Sequence, residues 1–227
     1  SSLRERFLAL NERIAVVPNA LDERLLPGGI REDGQREDSA PLVIGYMGTL
    51  THDDDLAMIA PALNEIGRRH GDAVALEIVG VVGRTDTLAA LDGLPVRLVS
   101  PLPGEAEYPL FMVWLTHTLR WDIALAPLVD TPFNACKSDL KHLDYAAMGV
   151  PGVYSRVPAY TGTVRHGETG LLCENDPAAW VETLEALIAS PRLRRRIARS
   201  AAEYLYRERI LARCGARWAT ALKEVLR

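Results

Sequence analysis

The stretch CKSDLKHLDYAAMGVP, residues 136–151, sets Lys137, Lys141 and Asp144 at spacings of four and three. On a helix these positions share one face, with Leu140, Leu143 and Ala147 on a neighbouring apolar stripe. Two ammonium groups and a carboxylate gathered in this way can neutralise an anion and accept hydrogen bonds from hydroxyl groups. The same spacing describes a solvated helix face whose Lys141–Asp144 ion pair contributes at most about 0.5 kcal/mol. The elements that position these residues must decide between the two.

A second polar stretch, GTLTHDDDL at 48–56, follows an apolar run. Gly48 lets a ligand approach the backbone closely, and a helix opening near Asp53 aims free N–H groups at an anion. Asp53, Asp54 and Asp55 admit a divalent cation carried by a nucleotide diphosphate as one reading. Against it, Thr51 is a good N-cap and acids suit a first helical turn, so capping is favoured and no metal is required. Of the histidines His52, His70, His117, His142 and His166, only His52 stands in a good position, and none forms H-E-x-x-H. Ser138-Asp139-Leu140-Lys141 matches S-x-x-K, but the companion S-D-N and K-T-G elements are absent. Ser138 therefore reads as a helix N-cap. Neither G-x-G-x-x-G nor a P-loop occurs, so an NAD site and a P-loop nucleotide site are not indicated.

The apolar runs LVIGYMG (42–48), VALEIVG (74–80), PVRLVS (95–100), DIALAPL (122–128), PGVYS (151–155) and TGLLC (169–173) are mostly apolar on consecutive positions. That pattern predicts strands covered on both faces. Helical patterns fall between them at 53–70, 105–118 and 138–149, with a weaker one at 84–91. Strand and helix alternate, which predicts an α/β fold with a Rossmann-like, doubly wound parallel sheet. From 175 to 227 the pattern is wholly helical: Asp176 caps and Pro177 opens the first helix, and two more follow around 191–208 and 210–226. The polar, Gly-rich stretch 27–41 reads as a flexible loop. In such sheets ligands bind beyond the carboxyl ends of the strands, near the point where the strand order reverses.

The 227 residues are 48% hydrophobic and 25% charged, a globular composition sufficient for one large domain or two small ones. A net charge of -4 gives no global argument for nucleic acid or an anionic membrane. Cys136, Cys173 and Cys214 are odd in number and far apart, as expected of reduced thiols in the cytoplasm. In SPRLRRRIARS (190–200), Leu193 and Ile197 face inward and the arginines face water; this leaves room only for weak association with an anionic inner membrane. The opening SSLRERFLALNERIAVVPNALD reads as an amphipathic helix running into a short strand, and is expected to be the middle of a longer chain.

The ordered set VVPNALD, IGYMGTL, LEIVG, WDIALAPL, LDYAAMGVPGV and VRHGETGLL resembles the C-terminal domain of GT-B glycosyltransferases of the group 1, or family 4, type. The resemblance covers nearly the whole chain. It implies one half of a GT-B fold that binds a nucleotide-diphosphate sugar without a metal. The acceptor, a glycan or a lipid-linked molecule, is then held by an N-terminal domain that this chain lacks, and the isolated domain is expected to be inactive. The family's paired glutamates fall on Cys136 and Asp144. Asp144 is then expected to face the ribose, while Cys136 lacks the carboxylate that contacts the donor sugar. The resemblance further implies that Lys137 and Lys141 neutralise the diphosphate and stabilise the leaving group. Gly48, Thr49, His52, Arg84, Leu102, Ser138, Thr161 and Gly162 are the remaining expected donor contacts. The alternative is a non-catalytic nucleotide-sugar-binding module, which Cys136 favours.

Overall fold

A computed structural model describes residues 2–27, 40–49, 52–80 and 85–226. Six parallel strands form one sheet: β1 (Leu42–Gly48), β2 (Val74–Gly80), β3 (Val96–Val99), β4 (Ile123–Ala126), β5 (Gly152–Ser155) and β6 (Leu171–Cys173). Their order is β3-β2-β1-β4-β5-β6, so the chain reverses direction across the sheet between β1 and β4. The helices are α1 (Ser2–Phe7), α2 (Asp53–His70), α3 (Thr85–Ala89), α4 (Leu110–Thr118), α5 (Leu140–Met148), α6 (Pro158–Thr161), α7 (Pro177–Ala189), α8 (Pro191–Glu208) and α9 (Leu211–Val225).

Consecutive apolar residues in a strand face opposite ways, so a run such as LVIGYMG feeds two cores at once. Ile44 and Tyr46 join Leu56, Ile59 and Leu63 of α2 and Trp180 and Leu184 of α7 on one face. Met47 lies on the other face with Met112 and Leu115 of α4, Tyr145 of α5 and Leu205 of α8. The β1–β2 register pairs Leu42 with Val74 and runs in step to Gly48 opposite Gly80. Entry to β4 is set by Asp122, whose Oδ2 accepts from the Val43 N–H at 2.8 Å. Just before it, the Trp121 indole lies over Gly45, where a Cβ would fall 1.7 Å from the ring. The indole Nε1–H donates to the buried Glu77 Oε1 at 2.8 Å.

Asp176 and Pro177 open α7 as the sequence predicts, with the Asp176 carboxylate accepting from the Ala179 N–H at 3.0 Å. Three expectations need correction. The helix expected at 105–118 begins at Leu110, because Pro109 disfavours helical geometry in the residue before it; a 3-10 turn, Pro103–Glu105, stands in its place. The opening segment forms only the short α1, and no strand follows: Leu21 makes a single bridge to Ile210. The helix expected from residue 138 starts at Leu140, and Ser138 does not cap it; its Oγ accepts from Asn19 Nδ2 at 3.0 Å instead. Within the loop expected at 27–41, residues 28–39 lie outside the described residues.

Candidate functional site

Two glycines end neighbouring strands. Gly80 has φ +106°, and a Cβ there would sit 1.9 Å from the Gly48 carbonyl oxygen, so neither position leaves room for ordinary packing above the strand ends. A cavity of about 860 Å³ opens over this floor. Its walls come from Met47 to Thr49 at the end of β1, Ser100 and Pro101 after β3, Phe111 of α4, and Leu140, Lys141 and Asp144 of α5. It therefore lies at the carboxyl ends of the strands beside the switch point, where such sheets bind ligands.

The helix α5 explains how charged groups come to line an otherwise apolar wall. His142 to Met148 are all buried, with Leu143, Tyr145 and Ala146 in the core and the Tyr145 hydroxyl donating to the Leu125 carbonyl at 2.6 Å. That anchoring turns Lys141 and Asp144, one turn apart, toward the cavity. Lys141 Nζ is buried without a hydrogen-bond partner and stands 5.0 Å from the centre of the Tyr46 ring. Burial pulls its pKa down to about 8; the Lys137 charge adds to the fall, while Asp55 and Asp144 oppose it. Asp144 Oδ1 is also buried and without a hydrogen-bond partner. Burial raises the Asp144 carboxyl to about 7 against the attraction of Lys141, with Asp139 adding to the rise. The solvated ion pair admitted by the spacing does not form. An ammonium and a carboxylate oxygen instead stand in the wall with unused hydrogen-bonding capacity, suited to an anion and to hydroxyl donors respectively.

Lys137 does not share their face. It follows a 3-10 turn, Asn134–Cys136, and its backbone is extended (φ -69°, ψ 159°), so the helical spacing from Lys137 to Lys141 does not apply. Its Nζ lies 5.5 Å from the Phe133 ring centre, outside the cavity wall, although its charge still reaches Lys141. Leu140, expected in the apolar stripe, faces the cavity and is 37% exposed.

His52, Thr49 and Gly48 all line the cavity. His52 Nδ1 meets Asp55 Oδ2 at 2.6 Å, while Asp55 Oδ1 accepts from the Val129 N–H at 2.7 Å. The acidic run thus does more than favour a helix start. Asp55 ties α2 to the loop after β4 and fixes the imidazole, and the Tyr46 hydroxyl donates to the His52 carbonyl at 3.1 Å. The cap expected from Thr51 lies outside the described residues, as does Arg84. Among the described residues no three His, Cys, Asp or Glu side chains gather in a metal-holding group.

Leu102 is 69% exposed, and its N–H donates to Glu105 Oε2 at 3.1 Å rather than pointing into the cavity. Thr161 and Gly162 are exposed at the end of α6, which packs on the turn carrying Cys136. Cys136 is partly exposed, with its Sγ 3.5 Å from the Pro132 carbonyl. The sequence reading missed Tyr46, Gly80, Ser100 and Phe111. The glycine that ends VALEIVG was a usable signal for Gly80, whereas an apolar Phe111 in a helix carries none.

Comparison with known proteins bears on the family and the fold. The family described as "Glycosyl transferases group 1" matches residues 41–190. A D-inositol 3-phosphate glycosyltransferase of Corynebacterium efficiens is 28% identical over 210 residues, which cover 85% of this chain and 47% of that protein. The chain thus spans about half the length of that relative. Among solved structures, a glycosyltransferase from Rickettsia africae superposes with a TM-score of 0.72 at 13% identity, over all of this chain and 62% of that one. Anabaena HepE, crystallised with UDP and glucose, gives 0.69 at 14% identity over 97% of this chain and 60% of its own. The C-terminal domain of a group 1 glycosyl transferase from Francisella tularensis is covered completely by 85% of this chain, with a TM-score of 0.58 and 16% identity. At these identities the structures show a shared fold, the Rossmann-like half of a GT-B glycosyltransferase.

Proposed function

Because the chain belongs to the group 1 glycosyltransferases, we propose that it is the donor-binding half of an enzyme that transfers a hexosyl group from a nucleotide-diphosphate sugar to a glycan or lipid-linked acceptor. The observation that carries this reading is the pair Lys141 and Asp144: one buried cation and one buried carboxylate oxygen, both without hydrogen-bond partners, in the wall of a cavity at the switch point. The Lys141 ammonium neutralises the diphosphate and stabilises it as a leaving group, with Lys137 adding positive charge from nearby. Asp144 accepts from ribose hydroxyls. Gly48 and Thr49 let the ligand approach the β1 backbone and His52 borders the phosphates; Ser138, Thr161, Gly162 and Leu102 are proposed as outer donor contacts, and Arg84, outside the described residues, is proposed as a further cation on the family resemblance alone.

We expect no metal in this scheme, because the Lys141 ammonium and the start of α5 supply the positive potential that a cation would otherwise provide. An N-terminal domain holding the acceptor accords with a relative about twice as long. We place the enzyme in the cytoplasm, with at most weak peripheral contact at the inner membrane face; no helix among the described residues is long and apolar enough to cross a membrane. Cys136, where the family's first glutamate would stand, favours a second reading as a non-catalytic nucleotide-sugar-binding module.

Calorimetry with UDP, GDP and their sugars tests the reading. One nucleotide diphosphate should bind the wild-type chain, and Lys137→Ala with Lys141→Ala should abolish the binding. Binding of none, or full binding by the double variant, would overturn it. Sugar transfer by a chain extended to the length of its relatives would exclude the non-catalytic module.

A further inference from the structure

Asp139 stands at the N-cap of α5, where an aspartate ordinarily accepts from a first-turn N–H. Elsewhere in the chain that rule holds: Asp176 accepts from Ala179 N–H and Ser190 from Leu193 N–H. At α5 the side chain makes no such bond. Its carboxylate turns away to Arg209, which is separated from it by 70 residues and holds it by two bonds, Nη1 to Oδ2 at 2.6 Å and Nη2 to Oδ1 at 3.0 Å. Both groups are buried, with 3% and 7% of their side chains exposed. The guanidinium also donates to the Asn19 carbonyl from Nε at 3.0 Å and from Nη2 at 2.8 Å, and to the Tyr204 hydroxyl at 2.9 Å. Asn19 in turn donates to Ser138 Oγ, and Leu21 bonds the backbone on both sides of Ile210.

Three segments distant in sequence therefore meet at residues 138 and 139, directly ahead of the helix that carries Lys141 and Asp144. A buried planar fork bonded to a carboxylate permits little rotation, which suits a device for fixing direction. The ammonium of Lys141 in the same first turn and the carboxylate oxygen of Asp144 one turn on, both without hydrogen-bond partners, line the cavity, so this helix end borders it.

We infer that Arg209 is a positioning residue for the cavity: it holds the Asp139 carboxylate off the start of α5, leaves that helix end open to an anionic ligand, and ties its orientation to the segment at residues 19–21. The inference rests on the donor-site reading for the identity of the anion, but not for the geometry.

The test compares wild type with Arg209→Met, Asp139→Asn and their combination, using melting temperature, titration of Lys141 by side-chain NMR, and UDP and GDP affinity by calorimetry. Either single variant leaves a buried partner uncompensated and should melt early, whereas the combined variant should regain most of the lost stability. In the combined variant the amide that replaces the Asp139 carboxylate is released to cap α5. Affinity should then stay at least tenfold below wild type, and Lys141 should titrate well above 8 as the first turn relaxes. The charges acting most strongly on Lys141 are Asp55, Lys137 and Asp144, beside the Tyr46 ring, so a change in its titration reports movement of the helix rather than loss of the Asp139 charge. If the combined variant does not fold, Arg209→Lys carries the test, because it keeps the charge but not the fork; it should show the same two changes in smaller degree. Wild-type titration and wild-type affinity in a folded variant would overturn the inference. A wild-type chain that binds neither nucleotide, with Lys141 still moved in the variant, would remove the donor reading and leave the positioning role standing.

Discussion

Replacing Lys141 with methionine should make the fold more stable while removing its affinity for anions. The ammonium is buried without a hydrogen bond, and its pKa falls from 10.5 to about 8. A folded pKa below the unfolded one means that folding disfavours the protonated form. The cost is fully present below about pH 8 and disappears as the pH rises from about 8 to 10.5, where a neutral lysine folds without it. At about 1.4 kcal/mol per pH unit, that fall corresponds to roughly 3 kcal/mol. Methionine keeps the packing of the stem but loses the contact with the Tyr46 ring, about 0.5–1 kcal/mol. A net gain of about 2 kcal/mol near neutral pH is left, or roughly 4–8 °C in melting temperature for a chain of this size. Urea unfolding of both proteins near pH 7 and near pH 10 measures it. The gap should be widest at the lower pH and should shrink at the higher one. A variant that is less stable near neutrality, or a gap that does not change with pH, would refute the reasoning, because either result requires a solvated or paired lysine.

Other perturbations test the scaffold around the site. Gly80→Ala meets both a positive φ and the Gly48 carbonyl 1.9 Å from the new Cβ, and should cost at least about 2 kcal/mol in urea unfolding. The same change at Gly71, where φ is +54°, ψ is -135° and nothing lies within 4 Å, meets backbone strain without a clash and should cost less than Gly80→Ala, on the order of 1–3 kcal/mol. Asp55→Ala strips the acceptor from the Val129 N–H and should lose about 1–3 kcal/mol, with the His52 ring released in NMR spectra. Burial lowers the pKa of His142 from 6.5 to about 4, so the neutral ring is favoured in the fold. Its stabilising contribution is present above about pH 6.5 and is lost as the pH falls through about 4, up to roughly 3 kcal/mol. His142→Phe should flatten that acid limb in denaturation measured between those two values.

The alternation of strands and helices is legible in the amino-acid order alone, because consecutive apolar runs such as LVIGYMG and VALEIVG can be satisfied only when both faces are covered. That order also determined where glycine stands at strand ends, and so where a ligand is able to approach. The α2, β1, β2 and α8 boundaries follow from such local signals: Pro191 at a helix start, glycine at a strand end. Tertiary structure alone decided the meaning of the charges. Lys141 and Asp144 have the spacing of an exposed ion pair, and nothing local distinguishes that from two groups set into a cavity wall; burial of the rest of α5 against the sheet and α8 makes the difference. Lys137 has the correct spacing but lies ahead of the helix, because the chain turns at Asn134–Cys136 before α5 begins. Asp139 has the chemistry of a cap and is drawn away from that role by Arg209. Hydrogen-bond preference is a local property of a residue, but the partner that satisfies it is chosen by which distant segments the fold brings together.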